Sequence, residues 1–266
     1  MKNKILVTDI LTKVDIDENP NATNVVTKEC DIALYNDDRL NDFFIKKNKN
    51  SALIPLNEEQ NQILVKSNLY KNRYYTLKNY NELYVDDLSR IIQAFALRMG
   101  AKEYKVSYYE KEEEFNETNF SIDQNAGVSV SKDVKINQGV SGAIDKSSTK
   151  ENIRKIEEKH EELEPNKVSK EELGKWIQSE NLDVDALPGF FSEYIKRYLE
   201  CGKVSGNITK TEELSNSLKQ NAHYQAKLNA SLDLPKFLSA NLDLKTEYAS
   251  SKRYKFTKIV EYMIKF

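Results

Sequence analysis

Phe120-Ser121-Ile122-Asp123-Gln124-Asn125-Ala126-Gly127-Val128-Ser129-Val130, then Ser131-Lys132-Asp133, then Val134-Lys135-Ile136-Asn137-Gln138-Gly139-Val140-Ser141-Gly142-Ala143-Ile144, is the stretch that decides the expected fold. Its even positions are mainly apolar and its odd positions almost wholly polar. That is the period-2 signature of a strand with one dry and one wet face. An ordinary strand has about five or six residues, so the alternation is too long for one. Ser131-Lys132-Asp133 supplies turn-forming residues midway. The stretch predicts a long amphipathic β-hairpin, with Phe120, Ile122, Val128, Val130, Val134 and Ile136 on its dry face. Gln124, Gln138 and Lys132 interrupt that face, Lys132 at the turn.

A second alternation runs from Ala222 to Tyr248. Its even positions include Leu228, Leu232, Leu238, Leu242 and Leu244, and the odd ones are mostly polar. Leu234-Pro235-Lys236-Phe237 sits midway and reads as a turn or a bulge, because proline has no N–H for a central ladder. Each arm in the two stretches is about 11 residues, close to the roughly 9–11 that a tilted strand needs to cross a bilayer.

The chain between them is expected to be a helical insert. Ser148-Thr149-Lys150-Glu151, Ser169-Lys170-Glu171-Glu172 and Thr209-Lys210-Thr211-Glu212 all match the capping-box pattern. They predict a polar helix carrying Ile153, Ile156 and Leu163, a second carrying Leu173, Trp176 and Ile177, and a short one after Thr209. Phe190–Cys201 adds another helix, closed by Gly202. Before the first alternation, Val85–Gly100 is expected to be a helix with a stripe of Leu88, Ile91, Ile92, Phe95 and Met99. A strand bearing Tyr104, Val106 and Tyr108 on one side follows, and Tyr254–Phe266 is expected to be a strand covered on both faces.

The expected fold class is α+β: one domain, 1–266, on a long-stranded antiparallel sheet with two long amphipathic hairpins and a helical insert between them. Its subregions are 1–84 (irregular with short strands), 85–100 (helix), 101–145 (first hairpin region), 146–219 (insert) and 220–266 (second hairpin and C-terminal strand).

Composition narrows the function classes. Forty Lys+Arg against 42 Asp+Glu leave a net charge of -2, which provides no global field toward nucleic acid or an anionic surface. The short apolar run after Met1 does not read as a secretion signal, and no stretch approaches a membrane helix. The expected localisation is cytoplasmic, with membrane association after a trigger. Cys30 and Cys201 fit no metal or redox spacing. No phosphate loop, nucleophile elbow or His-Glu metal motif occurs, and with two histidines the options for histidine chemistry are few. His160 has no partner histidine nearby in sequence. No cofactor, metal or catalytic residue is expected.

Tyr70, Arg73, Tyr74 and Tyr80 lie in a stretch dense in tyrosine and base, a candidate interfacial or nucleic-acid surface. A strand of high β-propensity explains the same residues and is preferred. Three functional readings remain. In the leading one, a non-enzymatic protein acts through its two hairpins, either inserting them into a membrane as a pore-forming assembly, apolar to lipid and polar to a wet lumen, or using them to bind a protein partner. In the second, the hairpin faces are ordinary core of a soluble scaffold or protein-binding module. The third is an enzyme whose site is assembled from distant loops. A protein partner or self-association is expected, a membrane is second, and nucleic acid is disfavoured.

Overall fold

Ile5-Leu6-Val7, all fully buried, form the middle of β1 (Lys4–Thr8). Three consecutive apolar residues suit a strand covered on both faces. The computed structural model describes residues 2–59, 61–114, 154–160, 166–214, 216–230 and 253–266, and in them β1 belongs to a six-stranded sheet. Its other strands are β2 (Asp31–Leu34), β3 (Phe44–Lys46), β4 (Ile54–Pro55), β5 (Gln62–Lys66) and β6 (Arg73–Thr76), in the order β2-β1-β5-β6-β3-β4. The pairs β1–β2 and β3–β6 are parallel, so this sheet is mixed, which corrects the expectation of a purely antiparallel architecture. The parallel β1–β2 pair needs a crossover, which α1 (Ile10–Glu18) and α2 (Asn24–Glu29) supply.

The second sheet is antiparallel and long-stranded. It contains β7 (Glu103–Glu114), β8 (Arg154–His160), β9 (Asn207–Glu213) and β10 (Arg253–Lys265), in the order β8-β7-β10-β9. Two expected helices are strands here. Arg154–His160 pairs along β7, and Asn207–Glu213 pairs along β10. A four-residue capping pattern cannot see that a neighbouring strand offers partners for the same backbone groups, and the ladder outweighs the local preference.

Between the sheets runs α3 (Tyr80–Met99). It starts five residues earlier than expected, because Tyr80 and Tyr84 extend the buried stripe of Leu88, Ile91, Ile92, Phe95 and Met99 backwards at helical spacing. Its end is the expected one: Gly100 sits at φ 92°, and its N–H bonds to Leu97 O at 3.0 Å. A Cβ there would lie 3.3 Å from the Lys167 side chain in a backbone conformation that L-residues avoid. Gly100→Ala is therefore expected to destabilise the fold by about 1 kcal/mol or more, seen as a lowered urea midpoint with unchanged slope. An unchanged midpoint would contradict the left-handed cap.

On α3 pack α4 (Lys170–Ser179) and α5 (Gly189–Cys201). The capping box of α4 is complete: Glu172 N donates to Ser169 Oγ at 3.2 Å, and Ser169 N donates to Glu172 Oε2 at 2.9 Å. An aromatic chain ties the layers. Phe95 meets Trp176 edge-on at 5.0 Å and Phe191 at 5.9 Å, and Phe191 meets Tyr262 at 5.6 Å. One continuous core thus joins Leu6, Val65 and Tyr75 of the mixed sheet to Tyr104, Val106, Val260 and Ile264 of the antiparallel one.

The last helix, α6 (Asn216–Ala230), is the largest departure from the expected pattern. Ala222–Ala230, the start of the second alternation, is helical. The remainder of that alternation and the whole of the first lie outside the described residues.

Candidate functional site

Both long connections leave the antiparallel sheet at the same end. Glu114, the last residue of β7, is paired with Arg253, the first of β10, and β8 begins beside Glu110 at Arg154. On the far side β9 ends at Glu213, opposite Ile259. The chain from β7 to β8 and the chain from β9 to β10 therefore both start and finish at this end.

The strand registers add a second observation. Lys132 stands midway in sequence between Tyr104 and His160, and equally between Glu110 and Arg154, the first and last β7–β8 pairs. Lys236 stands midway between Glu213 and Ile259, and between Asn207 and Lys265, the end pairs of β9–β10. These two positions fall within Ser131-Lys132-Asp133 and Leu234-Pro235-Lys236-Phe237, the segments where the side-chain pattern predicts turns and which lie outside the described residues.

At the same end α6 is wedged against β10. The register of β10 shifts between Thr257 and Ile259, so Tyr254 and Phe256 share a face with Glu113 and Lys111, whereas Val260, Tyr262 and Ile264 share the opposite face with Tyr108, Val106 and Tyr104. A one-residue bulge moves the apolar set to the other side of the strand. The result is a small separate cluster of Ala222, Tyr254 and Phe256, with Ala226 packed on it. The His223 ring lies 5.5 Å from that of Tyr254. Tyr254 OH donates to Glu113 Oε2 at 2.8 Å, and Lys219 Nζ lies 3.1 Å from the same oxygen. The other side of α6 meets the N-terminal region: Tyr224 OH is 3.4 Å from Cys30 Sγ and donates to Val25 O at 3.4 Å, with the Lys4 ammonium 5.0 Å from its ring centre.

Two groups in this patch respond to acid in the same direction. Burial, then the charges of Lys227 and Lys219, hold the His223 pKa below its ordinary 6.5, against the smaller opposing pull of Glu113 and Glu29. Burial pushes Glu113 up, but bonds from Tyr254 and Lys219 with the charges of Lys219 and Lys111 outweigh it and leave the carboxyl below 4.5. A depressed folded pKa contributes stability that is complete above the unfolded value and is lost as pH falls. For His223 the loss begins below about 6.5, and for Glu113 below about 4.5. Amides of α6 are therefore expected to exchange with solvent faster at pH 5.5 than at pH 7.5, after correction for intrinsic rates, and His223→Gln should flatten the difference. Equal protection at both pH values would sink the idea. The buried Cys30 thiol is pushed up to about 11, mainly by burial, so it is not a reactive thiolate.

A second polar cluster is buried where α3 meets the mixed sheet. Asp87 accepts from Lys46 Nζ at 2.5 Å, from Arg73 Nη1 at 2.8 Å and from Tyr75 OH at 2.6 Å. Ser67 Oγ continues the network to Tyr75 OH at 3.1 Å, and Asp86 takes a second contact from Lys46 at 3.0 Å. Burial and the adjacent Asp87 charge push the Tyr75 phenol well above its usual 10. The Asp87 carboxylate gathers all three donors, which makes the cluster an anchor of α3 on the sheet, although Arg73 Nε is buried without a hydrogen-bond partner.

Burial, more than that network, bears on the candidate interfacial or nucleic-acid residues. Tyr70, Tyr74 and Tyr80 are buried, and the Arg73 guanidinium lies 3.5 Å from the Tyr70 ring centre while bonded to Asp87. None of the four presents a stacking face to solvent. Of the candidate lipid- or partner-facing residues, Leu228 is buried in the main core. Phe120, Ile122, Val128, Val130, Val134, Ile136, Leu232, Leu238, Leu242 and Leu244 lie outside the described residues. Pattern reading missed Lys46, Asp87, Glu113, Lys219 and His223. The available signal was Asp87, a charge at helical spacing from Leu83 and Ile91 on an apolar stripe.

Among the described residues no helix is long and apolar enough to cross a membrane, and no group of three or more His, Cys, Asp or Glu is placed to hold a metal ion. Compared with known protein families, with curated proteins and with solved structures, the chain matches none.

Proposed function

We propose that the protein is a non-enzymatic, self-assembling membrane-inserting protein whose antiparallel sheet extends into two long hairpins. The observation that carries the reading is the coincidence of two independent centres. Side-chain alternation places turns at Ser131–Asp133 and Leu234–Phe237, and backbone registers place the midpoints at Lys132 and Lys236. Continuing the β7–β8 pairing would set Phe120 opposite Ile144, and continuing β9–β10 would set Leu228 opposite Leu244. Two hairpins so aligned leave the same end of one sheet as neighbours, every internal backbone group paired, which the hydrocarbon of a bilayer requires.

In this reading α6 is the stored form of one arm. Residues 222–228 serve two periods: as a helix they bury Ala222, His223, Tyr224 and Leu228, and as a strand they align Ala222, Tyr224, Ala226 and Leu228. The acid-sensitive contacts of His223 and Glu113 are among those that hold the helix in place, beside the Tyr224 contacts and the burial of Leu228. Dye release from anionic and neutral liposomes over a protein concentration series tests the proposal. Release steeper than first order in protein, stronger at pH 5.5 than at 7.5, is expected. Intact vesicles at every concentration and both pH values would refute insertion and move the function to a protein partner.

A further inference from the structure

We propose that copies of this chain join through the two edge strands of the antiparallel sheet, β9 of one copy pairing antiparallel with β8 of the next. The inference builds on the assembly reading above and specifies its interface. Among the described strands, β8 and β9 each have a neighbour on one side only. Leu214 N bonds to Lys258 O at 2.7 Å and Phe266 N to Gly206 O at 3.3 Å, so even-numbered residues of β9 face β10 with their backbone groups. Register then directs the N–H and C=O of Asn207, Thr209, Thr211 and Glu213 to the open edge. Such an edge is a template for another strand.

Direction and charge select β8 of a second copy as the occupant. The four strands alternate in direction, so β9 and β8 run oppositely, and a neighbour placed by rotation about an axis along the strands continues the alternation unbroken. Following the pairs across the sheet, Lys155 stands on the row of Tyr109, Ile259 and Glu213, and Glu158 stands on the row of Val106, Tyr262 and Lys210. With copies level, each junction sets Lys155 beside Glu213 and Glu158 beside Lys210, two opposite-charge pairs with no like-charge row between Lys155 and His160. A β9–β9 dimer centred on Lys210 would instead put lysine against lysine. The contact is head-to-tail, so it propagates past two copies and forms a ring where the rotation between copies closes, with an even number of antiparallel strands from each.

Cysteine cross-linking tests it in the full chain. Glu157 and Thr211 share a row at opposite edges, about 14 Å apart within one copy at three strand spacings of about 4.8 Å. No disulfide can span that distance within a copy. In a Cys201→Ser background, which removes the exposed native thiol, Glu157→Cys with Thr211→Cys should give a ladder of dimers, trimers and larger species under mild oxidation with liposomes at pH 5.5. Each single-cysteine variant should give no more than background dimer. Lys155→Glu should weaken the ladder at least several-fold, and adding Glu213→Lys should restore it. No ladder, or equal dimer from Thr211→Cys alone, overturns the interface. The two readings fail separately, because a ladder without dye release leaves the interface and removes insertion, and release without a ladder does the reverse.

Discussion

Asp87→Ala is expected to cost the fold about 3–5 kcal/mol, because it removes the buried carboxylate shared by Lys46 and Arg73 and leaves Arg73 without an anionic partner. Asp87 is 1% exposed, and its carboxylate accepts from Lys46, Arg73 and Tyr75. Lys46 would retain Asp86 at 3.0 Å, but Arg73 would keep only the face of Tyr70. The loss exceeds that from the exposed Lys13–Asp17 pair, for which a few tenths of a kcal/mol is the expectation. Chemical denaturation of Asp87→Ala beside Asp17→Ala reads the contrast. A loss under about 1 kcal/mol for Asp87→Ala would mean that water reaches the network and that α3 is held by its apolar stripe alone. The network matters to the functional account because it fixes α3 to the mixed sheet. In the proposed insertion, the antiparallel sheet and α6 rearrange around this anchored helix.

Leu232→Asp is expected to abolish dye release, by at least a hundredfold, while leaving the unassembled protein folded. The residue lies on the apolar side of the second alternation, four residues after Leu228. A carboxylate facing the middle of a bilayer costs up to several kcal/mol on each copy, and every copy in a ring would carry it. Asn229→Asp, on the opposite side of the alternation, should retain most activity because the proposed barrel turns that side to a wet lumen. The pair controls for charge itself. A Leu232→Asp protein with lost circular dichroism would place Leu232 in an ordinary core, and equal losses from the two variants would remove the two-faced strand.

Much of the helical structure was legible in the sequence, and the reason is local chemistry. Gly100 and Gly202 end α3 and α5 at left-handed residues, and Ser169 with Glu172 starts α4, since such signals act within a turn. The same pattern misled at Thr209–Glu212 and at Ser148–Glu151, where the chain that follows or coincides with the motif is β9 or β8. What decides those segments is a partner strand distant in sequence, such as Lys105 for Lys159 or Tyr262 for Lys210. Alternation misled in the opposite sense at Ala222–Ala230, because alanine and leucine suit both periods and the neighbours Tyr254, Phe256 and Cys30 chose the helix. Tyrosine in the 70–80 stretch carries no mark of burial in its identity. The hydroxyl of Tyr75 is inside because Asp87 and Ser67 bond it. Of the site, the His223–Tyr254–Glu113 patch was not legible, since its members come together only through the α6–β10 packing, and the expected turns lie outside the described residues.

The most direct test of the central claim is a nitroxide scan from Leu228 through Leu244 on liposomes, reading collision with oxygen against a water-soluble relaxant at each position. Away from the turn at Leu234–Phe237, an alternation of period two is expected, with Leu228, Leu232, Leu238, Leu242 and Leu244 exposed to oxygen and Asn229, Ser231, Ser239, Asn241 and Asp243 exposed to the aqueous agent. A period of 3.6 residues through Leu228–Leu232, or a profile identical with and without lipid, would contradict the hairpin and return α6 to the role of a fixed helix.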